Sequence, residues 1–117
     1  MTKYKVSDKG DPRKYFTQIP NMIDDMSLSV YAVRLYFHLK RVAAEDGACW
    51  QSTNLLAEAC NMSMGSVSKA KQELSQSGLI EISEKPTNHG GKKYHEITIT
   101  DVWEQNIKKY SSTVLYK

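Results

Sequence analysis

Residues 51–80 read QSTNLLAEACNMSMGSVSKAKQELSQSGLI, and the periodicity of this stretch decides how the rest of the chain is understood. Leu55, Leu56, Ala59 and Cys60 recur at helical spacing, and Val67, Ala70 and Leu74 repeat at i, i+3 and i+7. The spacing predicts two short helices, the second over residues 64–77 and closed by Gly78. Each is too short to persist alone in water, so the pair must bury its apolar stripes against each other and against a third element. Ser52 or Thr53 is placed to cap the first helix, and Ser63 the second, by accepting a hydrogen bond from a first-turn N–H. Between them Asn61 is one of the few non-glycine residues that enters the left-handed region at low cost, as a three-residue turn requires.

The third element lies upstream. Ser27 or Ser29 caps a helix running to about Ala44, with Tyr31, Leu35, Leu39 and Val42 on one face. Val30, Tyr36 and Phe37 make it apolar over more than half its circumference, which predicts a central packing helix. Arg34, Lys40 and Arg41 take the remaining surface, the last two near the negative end of the helix dipole. Before it, Tyr15–Pro20 suggests a short extended segment packing Phe16 and Ile19 on the body, followed by a helical turn at Met22 and Ile23. Residues 1–14 are polar, hold five basic residues and are broken by Gly10 and Pro12. They read as a flexible basic arm.

Downstream, Leu79–Ser83 and Tyr94–Thr100 alternate apolar and polar residues, as half-buried strands do. Ile80, Ile82, Ile97 and Ile99 are expected to face the core, and Glu81, Glu96 and Thr98 water. The intervening KPTNHGGKK is rich in turn formers and lysine, giving a hairpin with a basic tip. Asp46 and Gly47 end the long helix, and Ala48–Trp50 is a brief extended piece suited to pair with that hairpin. Asp101 and Glu104 form a helix start signal. Trp103, Ile107 and Tyr110 share one face of the helix that follows, a face that either closes over the domain or meets a second subunit. Residues 111–117 read as a frayed tail, leaving 15–110 as the domain.

Composition bounds the function. The chain has 117 residues, 40% hydrophobic and 25% charged, with a net charge of +3 from 16 basic and 13 acidic residues; this is one ordinary globular domain. No apolar run approaches a membrane span and the polar start is no signal peptide, so a cytoplasmic setting, with the nucleoid, is expected. Cys49 and Cys60 sit in apolar surroundings far from scattered His38, His89 and His95, which predicts buried thiols and neither metal nor cofactor. No phosphate cradle, paired catalytic carboxylates or activated nucleophile is visible, so no enzyme is expected. Within residues 47–100 five lysines balance five glutamates, yet the lysines gather at Lys69 and Lys71 and again at Lys85, Lys92 and Lys93. Such clustering is the electrostatic footprint to look for in a nucleic-acid surface, with an ordinary solvated charged face as the alternative.

Ala57, Cys60, Asn61, Met62, Val67 and Ala70 stand where a helix-turn-helix motif has its small residue, its turn and its buried positions, with Asn61 where glycine is commoner. Over residues 15–110 the chain resembles the winged helix-turn-helix domains of replication proteins and regulators of plasmids, phages and other mobile elements. The residues that carry this are Phe16, Ile19 and Pro20; Leu28, Ser29, Tyr36 and Leu39; Gly47, Cys49 and Trp50; Leu56 and Ala57; and Leu74, Gly78, Leu79 and Ile80. The resemblance implies an α+β, mainly α fold: a three-helix core, a basic β-hairpin wing and an extra C-terminal helix. It also implies sequence-selective binding of double-stranded DNA, as a small transcriptional regulator or replication accessory protein. The lack of a second domain after the wing favours that small role. The alternative is a winged domain that docks protein in such a complex.

On this reading Gly65, Ser66, Ser68, Lys69 and Gln72 project from the second helix into the major groove, and Gln72 is able to bond adenine with both ends of its amide. Ser52, Thr53 and Ser63 sit at helix N-termini where phosphates are held. Lys85, Lys92 and Lys93 would clamp phosphates, with Asn88 and His89 entering the minor groove and Gly90 and Gly91 allowing close approach. A homodimer through Trp103, Ile107 and Tyr110 is the second expected partner.

Overall fold

The computed structural model describes residues 5–10, 15–43, 48–49, 51–86 and 93–115. Its elements run α1 (Asn21–Asp25), α2 (Val30–Ala43), β1 (Ala48–Cys49), α3 (Thr53–Cys60), α4 (Met64–Gln76), β2 (Ile80–Pro86), β3 (Lys93–Ile99) and α5 (Trp103–Leu115). The three strands form one antiparallel sheet in the order β1-β3-β2. In it Ile80 pairs with Ile99 and Ile82 with Ile97, while Ala48 and Cys49 oppose Thr98 and Ile97. This is the expected hairpin with the short strand added to its edge. Ile80 and Ile97 are buried, Ile82 and Ile99 pack on the core from its margin, and Glu81 and Thr98 face water.

One core joins α1, α2, α3, α4 and the sheet: Ile23, Ala32, Leu35, Tyr36, Leu39, Leu56, Ala57, Cys60, Val67, Ala70, Leu74, Leu79, Ile80, Ile97 and Val102. Ala57 is small and lies where α3 meets α4, so the two backbones approach closely. Burial pushes up the Tyr36 hydroxyl and the Cys60 thiol, the latter partly offset by the Arg34 charge. Cys60 is thus a buried free thiol. The Cys49 side chain and Trp50 lie outside the described residues.

Three expectations need correction. Tyr31 is not on the buried stripe of α2; it is about half exposed, and Ala32, Leu35, Tyr36, His38, Leu39 and Ala43 point inward instead. The 100° step explains this, because the buried stripe is centred on Ala32 and Leu39, which takes in Tyr36 and leaves Tyr31 at its edge. Nor is α2 packed all round: Val30, Val33 and Phe37 face solvent, since only one side of the helix meets α3, α4 and the sheet. Phe16 is also largely exposed; Ile19 and Pro20 alone anchor the entering segment.

The ends of the helices follow local chemistry. Ser29, the second of the two cap candidates, accepts from the Ala32 N–H. Its own N–H and hydroxyl donate to the Glu73 carboxylate of α4, each at 2.7 Å, which ties the start of α2 to the last turn of α4. Asp101 caps α5 by accepting from the Trp103 N–H, and Glu104 pairs with Lys108 one turn on. From there α5 lies against α1: Val102 is buried, Asn106 accepts from the Met22 N–H at 2.8 Å, and the Tyr110 hydroxyl donates to Asp25. That bond and the nearby carboxylates push the Tyr110 phenol up to about 12. Tyr110 therefore closes over its own domain, while Trp103 and Ile107 stay in part outside. The helix continues to Leu115, where a frayed tail was expected from residue 111; once nucleated, a helix adds one hydrogen bond per residue fixed.

Candidate nucleic-acid interface

The α3–turn–α4 unit is built as its residues dictate. Ser52 accepts from the Leu55 N–H and Ser63 from the Ser66 N–H, so each helix begins at a serine cap in extended conformation. Asn61 ends α3 with φ 56° and ψ 51°, and Gly78 follows α4 with φ 76°. Across the Asn61 turn the Met62 N–H returns to the Ala57 carbonyl, and beyond α4 the Leu79 N–H returns to that of Leu74. From α2 the Arg34 guanidinium donates to the Ala59 carbonyl at 2.9 Å, steadying the last turn of α3.

Val67, Ala70, Lys71 and Leu74 form the buried side of α4. The opposite side presents Gly65, Ser68, Lys69 and Gln72, all exposed, and neither α5 nor any described loop covers it. Gln76 lies on the same line, one turn beyond Gln72, and is exposed too. Sequence reasoning missed it, although the i, i+4 step from Gln72 was available as a signal. Ser66 sits at the edge of this surface, half buried, its hydroxyl bonded to that of Ser63 at 2.9 Å. These two serines act first as the cap of α4.

Lys71 does not share the surface of Lys69. It is only 7% exposed, and its ammonium donates to the Thr53 hydroxyl at 2.9 Å. The lysine pair read as one footprint is split, because position 71 falls within the apolar stripe and its aliphatic stem packs there with the charged tip reaching α3. Thr53 thus holds α4 with its hydroxyl. At the start of α3 the first-turn N–H groups of Thr53 and Asn54 have no intrahelical acceptor, and they carry the positive end of the helix dipole.

The wing is seen as backbone. Lys85 pairs in register with Tyr94 and Pro86 with Lys93; the side chains of Lys85 and Lys93, and all of Asn88, His89, Gly90, Gly91 and Lys92, lie outside the described residues. Nearer the body, Glu84 and His95 are register partners whose side chains approach to 3.7 Å. Among the described residues, no group of three or more His, Cys, Asp or Glu is placed to hold a metal ion, and no helix is long and apolar enough to cross a membrane.

Two capped helices around a left-handed turn, braced by a third helix and followed by an antiparallel hairpin, make a winged helix-turn-helix fold. A family model described as "Helix-turn-helix domain" matches residues 27–80, from the approach to α2 through the first residue of β2. A structural relative is a MarR family regulator from Neisseria meningitidis, 14% identical, with a TM-score of 0.45; the likeness covers 83% of this chain and 62% of that one. No curated protein matches the sequence.

Proposed function

We propose that the chain binds double-stranded DNA sequence-selectively, with α4 in the major groove, as a small transcriptional regulator or replication accessory protein. The observation that supports this most is the open polar side of α4. Gly65, Ser68, Lys69, Gln72 and Gln76 form an unobstructed row on a helix whose other side is locked into the core. Amide and ammonium ends on such a row match the donor and acceptor pattern of base edges. The N-terminus of α3 at Ser52 and Thr53 is the phosphate clamp, and the Lys85, Lys92 and Lys93 wing with Asn88 and His89 is the second contact.

Gly65 strengthens the reading. A Cβ built there meets nothing nearer than the Ser63 hydroxyl at 3.8 Å, an ordinary contact, and its φ is not positive. Among the described residues nothing crowds this position, and the missing side chain leaves room for a DNA backbone to come close.

The test is selection of bound duplexes from a random pool, followed by anisotropy titration of the winner with the full chain. Lys69→Ala with Gln72→Ala is expected to weaken the selected duplex by about tenfold or more while random duplex changes less. Each wing lysine removed should flatten the dependence of log affinity on log salt by about one unit. Unchanged affinity and selectivity in the double variant would mean that α4 is not the reader. The exposed Ile107 and half-exposed Trp103 support a homodimer contact at α5. Sedimentation of Ile107→Glu tests it: a dimer reduced to monomer is expected, and a monomeric wild-type chain would end that reading.

A further inference from the structure

The side of α2 opposite its core stripe carries a second surface, unlike the first. Val30, Val33 and Phe37 are 76%, 39% and 44% exposed and fall at i, i+3 and i+7 along one line. Arg34 and Arg41 flank that line on one side and Lys40 on the other, following the 100° step. At its C-terminal end Phe37, Lys40 and Arg41 form a groove with the exposed Tyr15 and Phe16. A neighbouring hollow joins Arg34, Phe37 and Arg41 to Ala59 at the end of α3. Among the described residues, none that lines either depression is acidic.

An apolar line at helical spacing, bordered by cations, is the complement of an amphipathic helix with apolar anchors and acidic flanks. A second copy of this chain is a poor occupant. A two-fold contact would set this one patch against itself, bringing Arg34, Lys40 and Arg41 against their own counterparts. Single-stranded nucleic acid would use the cations and the aromatic rings, but the valines that continue the line give a base no ring to stack on. We infer that the outer face of α2 is a docking surface for an acidic, apolar-anchored helical segment of another protein. Since that face points away from the core side that holds α4, the partner binds while α4 lies on DNA. The inference does not depend on the DNA reading.

The experiment uses the full chain and a fluorescent synthetic helix of about 20 residues, with leucines at i, i+3 and i+7 flanked by glutamates. Companion probes carry lysine for every glutamate, or are a thymidine single strand. The acidic helix should bind, more weakly as salt rises, and the lysine version should not. Phe37→Ser and Arg41→Glu should each weaken it about tenfold or more, with thermal melts and duplex binding unchanged. Equal binding of both peptides, or of neither, would overturn the proposal. So would thymidine-strand binding that Phe37→Ser removes, which would make the face a nucleic-acid platform. Self-association that Phe37→Ser abolishes would give the face to a second copy and overturn it as well.

Discussion

Helices α2 and α4 are nearly equal in length and share one core, yet they turn opposite chemistries to solvent. α4 exposes glycine, serine, lysine and glutamine, whereas α2 exposes two valines and a phenylalanine between cations. The inner faces are alike: Ala32, Leu35 and Leu39 interlock with Val67, Ala70 and Leu74. Fold is therefore written on the inner faces and interaction on the outer ones. A helix with more apolar residues than its neighbours can cover leaves the surplus in water, and that surplus says as much about partners as a polar row does.

The largest effect that sharpens this comparison is in stability. Leu74 is fully buried, so Leu74→Ala should cost about 2–5 kcal/mol in a urea melt. Phe37→Ala, a larger truncation on the outer side of α2, should change stability by less than about 0.5 kcal/mol. Equal losses would show that the outer face of α2 is covered after all. Next comes the cap of α4. Ser63→Ala removes the acceptor for the Ser66 N–H and should cost about 0.5–2 kcal/mol by the same measurement.

The helix pair was legible residue by residue, because caps, turn and stripe are all encoded within a few positions of one another. Ser52, Ser63 and Asn61 each do what their side chains favour locally, and Gly78 takes the positive φ that the lack of a Cβ allows. The core-facing side of the hairpin followed from alternation alone, with Ile80, Ile82, Ile97 and Ile99 turned to the core. What escaped was long-range. Whether Tyr31 or Tyr36 enters the core depends on where α3 and α4 sit around α2, and a helix apolar on most sides does not reveal that. Lys71 looked like a surface charge because its partner, Thr53, lies on another helix. The Glu73–Ser29 clip spans 44 positions and has no local signature.

That clip makes a smaller, pH-dependent prediction. The Ser29 hydroxyl and N–H hold the Glu73 carboxyl below its ordinary value of 4.5. A carboxylate with a depressed folded value stabilises the protein fully above its unfolded value, and the contribution fades as pH falls through the folded one. Stability should therefore fall on acidification below about pH 4.5, more in the wild type than in Glu73→Gln, when melts are compared across pH 3–6. Parallel curves would mean that the clip contributes nothing in solution.

Gly65→Ala separates the two faces most cleanly. Position 65 lies in the first turn of α4 and has room for a methyl group, so alanine should raise helix stability by up to about 1 kcal/mol. The same methyl group projects from the row that includes Lys69, Gln72 and Gln76, where a duplex backbone has to approach. A variant that melts higher and binds its selected duplex more weakly would place the reason for glycine outside the protein. If it melts higher and binds equally well, the N-terminal end of α4 stands clear of DNA, and contact begins no earlier than Ser68. The matching change on α2, Val33→Ala, should leave duplex affinity untouched and weaken only the acidic helix, because that side chain points away from everything α4 meets.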